Sequence, residues 1–231
     1  MFNKIFNKFF IYQKAYLLKS GMQRECYSQF GEDIAINRFF SNKGNGFFVD
    51  VGCFHPLFYN NTWKLYKKGW RGVNIDIDAV KIEVFDIRRP DDINISCAVS
   101  NKNGEIDCYQ DGDYSLNTTI DKDFSEVKGG YKKKTVLSKS LTSILDSTKY
   151  KSTCIDFLSI DAEGSDLDVI KSLDFDRYLP RLIAIEVEYS ILSDVIKSDV
   201  YLFLWDKGYM LIAWNGLSLI MSKELPHYTR D

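Results

Sequence analysis

The chain lacks an excess of positive charge: across 231 residues, 30 Lys and Arg face 32 Asp and Glu, a formal net charge of -2. A nucleic-acid surface needs a basic face to release counterions from phosphates, so that partner class is excluded beyond a local patch. Cysteine is also sparse. The five (Cys26, Cys53, Cys97, Cys108, Cys154) are odd in number, lack C-x-x-C spacing and mostly lie in apolar runs such as Ile95-Ser96-Cys97-Ala98-Val99. That excludes a zinc site and a disulfide framework, and reads as small buried residues of a reducing, cytoplasmic compartment. A long apolar run is missing too. Residues 1–20 place Phe2, Ile5, Phe6, Phe9 and Phe10 at helical spacing, but Lys4, Lys8, Lys14 and Lys19 interrupt them. This excludes a membrane span and fits a signal peptide poorly. An amphipathic helical extension over residues 1–26 is expected, either packed on its own domain or a second subunit of a homo-oligomer, or lying peripherally on an anionic membrane. Packing is the preferred reading, because an apolar helix stripe usually faces a core.

No internal repeat, low-complexity tract or second domain interrupts residues 27–231, and this length buries a full core as one unit. From Gly46 onward, short apolar runs alternate with amphipathic segments, the pattern of βαβ units. The predicted strands are Phe47 to Val51, Val73 to Ile77, Ile93 to Val99, Ile155 to Ile160, Leu182 to Val187, Met210 to Trp214 and Leu217 to Met221. Their near-continuous apolarity predicts a mostly parallel seven-stranded sheet with helices on both faces. Asn215-Gly216 between the last two predicts a type I′ hairpin, and so an antiparallel finish. That finish separates a class I methyltransferase sheet from ordinary doubly wound folds by fold analogy. Between about residues 103 and 140 the alternation breaks down, and a lid or substrate loop is expected at about 111–134.

The run Phe47-Phe48-Val49-Asp50-Val51-Gly52 is a buried strand ending in an acid and a glycine, at the edge where open parallel sheets bind ligands. Some 25 residues on, Val73-Asn74-Ile75-Asp76 ends a second strand in a carboxylate suited to the hydroxyls of a ribose. No G-x-G-x-x-G follows the first strand. The loop reads Gly52-Cys53-Phe54-His55-Pro56, which cradles a pyrophosphate poorly. A cofactor with an adenosine and no diphosphate, such as S-adenosylmethionine, fits better. A helix-capping or turn role for Asp50 and Gly52 stays open beside this.

Several fragments in order carry a resemblance. Tyr27-Ser28-Gln29-Phe30-Gly31-Glu32-Asp33 resembles the SQ-x-GED entrance motif of the FkbM family of S-adenosylmethionine-dependent methyltransferases. Phe48 to Gly52 resembles their first cofactor motif, Gly69-Trp70-Arg71-Gly72-Val73-Asn74-Ile75-Asp76 their GW-x-G run, and Ile155 to Gly164 their IDFLKIDVEG signature. Ile185-Glu186 fits the acid ending the next strand, and the whole covers roughly residues 27–222. Within the family, His55-Pro56 and Asn61-Thr62 resemble a bacterial subgroup that accompanies surface-polysaccharide biosynthesis, such as that of capsules. Cys53 and Phe54 depart from the small or polar residues of many relatives, and Ile77 from their proline. The resemblance implies a Rossmann-like α/β class I methyltransferase fold. It also implies cofactor contacts from Gln29, Asp33, Asp50, Gly52, Asp76 and Ser100, and an acceptor-side role for Asn61.

Asp161 and Glu163 lie two apart at a predicted strand end, so a continuing strand points both to one side of the sheet. With Glu186 they form an acidic cluster that serves as a general base, binds sugar hydroxyls, or holds a divalent ion such as magnesium or manganese; base or hydroxyl binding is preferred. His55 is a further candidate base, against a turn-satisfying role. Ser165 followed by Asp168 reads as a capping-box variant. In the lid, Asn117 and Thr118 are candidate readers of sugar hydroxyls, and Lys128, Lys132, Lys133 and Lys134 form a basic patch, more simply a solvated lysine run. The expected function is O-methylation of a sugar, nucleotide sugar or surface-polysaccharide precursor. The alternatives are a nicotinamide-dependent oxidoreductase and a non-catalytic protein retaining the fold.

Overall fold

The computed structural model describes residues 25–225 except 113, 116–117, 121, 123–125, 127–129 and 190. Residues 1–24 of the expected N-terminal extension, Asn117 and Lys128 therefore lie outside the described residues.

The chain runs α1 (Glu32–Phe39), β1 (Phe47–Val51), α2 (Trp63–Lys67), β2 (Arg71–Asp76), α3 (Ala79–Arg88), β3 (Ile93–Ser96), β4 (Ala98–Val99), β5 (Gly104–Gln110) and β6 (Lys132–Lys139). It continues through α4 (Leu141–Asp146), β7 (Phe157–Ile160), α5 (Asp166–Lys171), α6 (Phe175–Tyr178), β8 (Leu182–Glu186), α7 (Leu192–Val195), α8 (Asp199–Asp206), β9 (Met210–Asn215) and β10 (Ser218–Ser222). Seven strands form one sheet in the order β3-β2-β1-β7-β8-β10-β9. All neighbours are parallel except the two pairs that β10 makes. This is a Rossmann-like, mostly parallel seven-stranded sheet with the antiparallel finish expected from the sequence.

Period-two alternation divides the core. Phe47, Val49 and Val51 face a cluster with Ile144 of α4, Val169 of α5, Tyr178 of α6 and Leu204 of α8, while Phe48 faces Ile36 of α1, Leu65 of α2 and the buried Trp70. Helices thus cover both faces, and each such apolar side chain withdrawn from water is worth about 1.5–3 kcal/mol.

Three sequence expectations change. The run Ile93 to Val99 is not one strand: the Cys97 N–H donates to the Asp76 carbonyl at 3.0 Å, and Ala98–Val99 leaves to pair with Ser138–Lys139. There it joins a separate three-stranded sheet, β4-β6-β5, whose β5 and β6 fall where the alternation was read as breaking down. Lys132, Lys133 and Lys134 accordingly lie on β6, where Lys133 pairs with Asp107 at 2.7 Å. Finally, β9 and β10 pair through Asn215 and Ser218, so the turn residues are Gly216 and Leu217. Only Gly216 has positive φ, at 57°, whereas a type I′ turn needs it at both positions.

Of the cysteines, Cys53, Cys97 and Cys108 are buried, but Cys26 and Cys154 are exposed. Among the described residues no helix is long and apolar enough to cross a membrane.

Candidate active site

The chain builds outward from β1 through β2 to β3, then returns to place β7 on the other side of β1. At such a switch point the connections diverge and leave a crevice at the carboxyl edge. Gly52 forms its floor. Its N–H donates to the Ile75 carbonyl at 2.8 Å, its φ is 74°, and a Cβ there would stand 1.7 Å from the Asp161 carbonyl oxygen. Asp161 in turn donates its N–H to the Val51 carbonyl at 3.0 Å. The ends of β1 and β7 therefore touch at a point where only glycine fits.

A cavity of about 260 Å³ opens over this floor. One end is walled by Val51, Ile75, Ile77, Cys97, Ala98 and Val99 around Asp76. Asp76 is buried; its Oδ1 accepts from the Asp78 N–H at 2.9 Å and its Oδ2 from the Phe54 N–H at 3.2 Å. Lys81 Nζ stands 3.5 Å from Oδ2. Burial pushes the Asp76 carboxyl up, and Lys81 opposes that shift.

The other end holds Gln29, Asp161, Glu163, Glu186 and Leu217. Asp161 is exposed where it opens onto the cavity, with protein crowding it from behind, and its side chain is hydrogen-bonded to Glu186. Burial and then the neighbouring Glu186 push the Asp161 carboxyl well above the usual range. Burial raises Glu186 to about 7. Behind them Asp166, buried and accepting the Ala162 N–H at 2.9 Å, is raised by burial and by Asp161 to about 7. Two carboxyls in hydrogen-bond contact titrate as a pair that holds one proton near neutrality.

The predicted site residues divide. Gln29, Gly52, Asp76, Thr118, Asp161, Glu163 and Glu186 all line the cavity. Thr118 arrives on the loop between β5 and β6, which is tied down where Thr119 pairs with Tyr109 and donates its Oγ1 to the Glu163 carbonyl at 2.6 Å. The Thr118 Oγ1 is buried and makes no hydrogen bond among the described residues.

Asp50, Asp33, Ser100, Asn61 and His55 are not in the lining. Asp50 shares the sheet face of Phe48 and accepts from Asn60 at 3.2 Å and Thr62 at 2.9 Å, within reach of the buried Arg89. Asp33 holds the entrance segment together, taking the Tyr27 N–H at 2.9 Å, the Ser28 hydroxyl at 3.0 Å and Lys64 at 3.1 Å. Ser100 contacts the Ser138 hydroxyl at 2.8 Å, and Asn61 donates to Ser159 at 3.1 Å. The His55 Nδ1 accepts the Leu57 and Phe58 N–H groups at 3.1 and 3.3 Å, and burial lowers its pKa; it closes its own turn.

Two local expectations fail. The strand stops at Ile160 and Glu163 adopts φ 46°, so Asp161 and Glu163 are not held in strand alternation. Ser165 occupies the N-cap of α5 without a side-chain cap bond. Nor do the acids form a metal centre: among the described residues, no three His, Cys, Asp or Glu side chains are placed to hold an ion. Lys81, Phe54, Tyr59, Ile120 and Leu217 line the cavity without having been singled out as contacts from sequence. Of these, only Phe54 adjoins a strand-end motif; the other four carried no such signal.

An adenosine-bearing sulfonium cofactor fits what is present. Gly52 leaves room for close backbone approach, the apolar walls beside Asp76 suit a nucleoside, and the orphaned Thr118 hydroxyl faces the same space.

A family model described as "Methyltransferase FkbM domain" matches residues 40–211. No curated protein matches the chain significantly. Among solved structures, the fold is similar to a TehB-like SAM-dependent methyltransferase from Corynebacterium glutamicum, with 11% identity over 93% of this chain and 96% of that one, at a TM-score of 0.42. It is also similar to a protein described as a type 11 methyltransferase from Sulfolobus solfataricus, with 11% identity over 88% of this chain and 98% of that one, at a TM-score of 0.40.

Proposed function

This chain belongs to the FkbM methyltransferase family, and from that premise we propose that it transfers a methyl group to a hydroxyl oxygen of a sugar, nucleotide sugar or surface-polysaccharide precursor. The family membership sets aside the nicotinamide-dependent oxidoreductase. S-adenosylmethionine, when bound, supplies an electrophilic methyl group on a sulfonium. Asp76, Gly52 and the apolar walls from Ile75 to Val99 would hold its nucleoside. The carboxyl pair of Asp161 and Glu186 is the observation that carries oxygen as the acceptor atom. A hydroxyl loses its proton as it becomes a nucleophile, and a carboxylate tuned to about 7 by burial is matched to take that proton at neutral pH. Glu186 accepts the proton, and Asp161 stays protonated and donates to the other carboxylate, which fixes its orientation. Gln29 and Thr118 flank this end with polar atoms suited to further hydroxyls, and alignment of the acceptor in such a pocket supplies much of the acceleration. Five free cysteines support a reducing, cytoplasmic setting.

The test is a calorimetric titration with S-adenosylhomocysteine, with NAD as control, followed by transfer of labelled methyl to a panel of nucleotide sugars. Micromolar binding of the homocysteine product alone is expected. Asp161→Asn is expected to keep that affinity and lose turnover; retained turnover would remove the pair from the chemistry, and transfer to an amine instead of a hydroxyl would overturn the acceptor.

A further inference from the structure

Asp76 is asked to accept two ribose hydroxyls, and a count of its hydrogen-bond sites says that it is already busy. An ionised carboxylate offers about four lone-pair sites. The Asp78 N–H uses one on Oδ1, the Phe54 N–H one on Oδ2, and the Lys81 ammonium stands 3.5 Å from Oδ2. Two sites remain, one on each oxygen, and the one on Oδ2 lies beside the Lys81 ammonium, so the Oδ1 site is the freer of the two for a hydroxyl.

Lys81 shows the opposite imbalance. Its side chain is 4% exposed, yet among the described residues Nζ makes no hydrogen bond; it has Asp76 at ion-pair distance and the Phe54 ring 5.2 Å away. An ammonium has three donors, and none of them finds a hydrogen-bond acceptor among the described residues, which leaves them for a ligand in the cavity. Lys81 also lines the cavity directly beside Asp76. Helix α3 holds it there: Asp78 caps the helix by accepting the Val80 N–H at 2.9 Å, and Ile82 and Phe85 bury the same segment.

We propose that Lys81 and Asp76 divide the ribose between them, Asp76 accepting from one hydroxyl while Lys81 donates to the oxygen of the other. The pair is then a donor–acceptor reader of a vicinal diol, and Lys81 is a cofactor-binding residue. This rests on the reading of the cavity as a nucleoside site.

The experiment is a double-mutant cycle between residue and ligand, with S-adenosylhomocysteine and its 2′-deoxy and 3′-deoxy analogues titrated into the wild type and Lys81→Met. In the wild type each missing hydroxyl is expected to weaken binding on the order of tenfold or more, the worth of a hydrogen bond to a charged group. In Lys81→Met, affinity for the full ligand falls by a similar factor and the penalty for one hydroxyl disappears while the other persists. Both penalties surviving in full would overturn the proposal, because a residue that only supports the fold weakens all three ligands alike. No binding of S-adenosylhomocysteine by the wild type would instead refute the nucleoside site itself. Should Lys81→Met be too unstable to titrate, Lys81→Gln, which loses charge and reach but keeps a polar end, is read against the same two outcomes.

Discussion

Replacing Gly52 by alanine tests whether the floor of the cavity is built as described. Two costs add. A φ of 74° places an L-residue in the left-handed region, at about 1–2 kcal/mol. The new Cβ would also lie 1.7 Å from the Asp161 carbonyl oxygen, a backbone atom that moves only if the end of β7 moves. Overpacking of this kind costs about 1–3 kcal/mol. The sum is roughly 2–5 kcal/mol, and with about 2–4 °C per kcal/mol for a domain of this size the melting temperature should fall by roughly 4–20 °C. Gly69→Ala and Gly208→Ala are the controls. Their φ values are 94° and 84°, but a Cβ at either meets nothing within 4 Å, so only the backbone penalty applies. Thermal unfolding of the three variants separates the two terms, and titration with S-adenosylhomocysteine reports whether displacing Asp161 deforms the cavity. If Gly52→Ala melts no lower than the two controls and binds the ligand as the wild type does, the contact between β1 and β7 is misassigned.

Glu186 is raised to about 7 in the folded protein from an ordinary 4.5, so the native state binds its proton more tightly than the unfolded chain. Its effect on stability is therefore most favourable at low pH and is lost as pH rises from about 4.5 through about 7. Glu186→Gln should raise stability at pH 8 relative to pH 5, by on the order of 2 kcal/mol in urea unfolding; an equal effect at both pH values would show that the carboxyl is not perturbed. The same titration should make wild-type turnover rise with pH through about 7, and a rate independent of pH there would remove Glu186 as base. His55→Ala should leave turnover close to wild type and cost about 1 kcal/mol of stability, because two N–H groups of its turn lose their acceptor. Loss of turnover with stability intact would restore His55 as a base.

Membership of the polar groups in the site was only partly legible, for a definite reason. Asp50 and Gly52 belong to one motif, yet Asp50 points into the face of Phe48 and is closed off by Asn60 and Thr62, while Gly52 lies under the cavity. Period two tells which residues share a face; it does not tell which face meets the ligand. Lys81 carried no signal at all. A lysine early in an amphipathic helix reads as solvated, and its burial depends on Phe54 arriving from the loop after β1 and Asp76 from the end of β2.

The central strands could be read directly because they are buried on both faces, so their sequences are apolar at nearly every position whatever their partners. The carboxyl-edge acids followed, since an acid at the end of such a strand has nowhere to go but the crevice or a polar cluster beside it. Strands β5 and β6 were not readable. Gly104-Glu-Ile-Asp-Cys-Tyr-Gln110 mixes exposed, half-buried and buried positions and Lys132-Lys-Lys-Thr-Val-Leu-Ser-Lys139 is largely exposed, and they become strands only because each supplies the other's hydrogen bonds from about 30 residues away. Local sequence thus determined the sheet and the family, through the burial that an apolar run demands. The pairing of Asp161 with Glu186, the turning away of Asp50 and the seating of Lys81 on Asp76 were decided by tertiary structure alone, because each depends on the distance between groups on separate strands or helices.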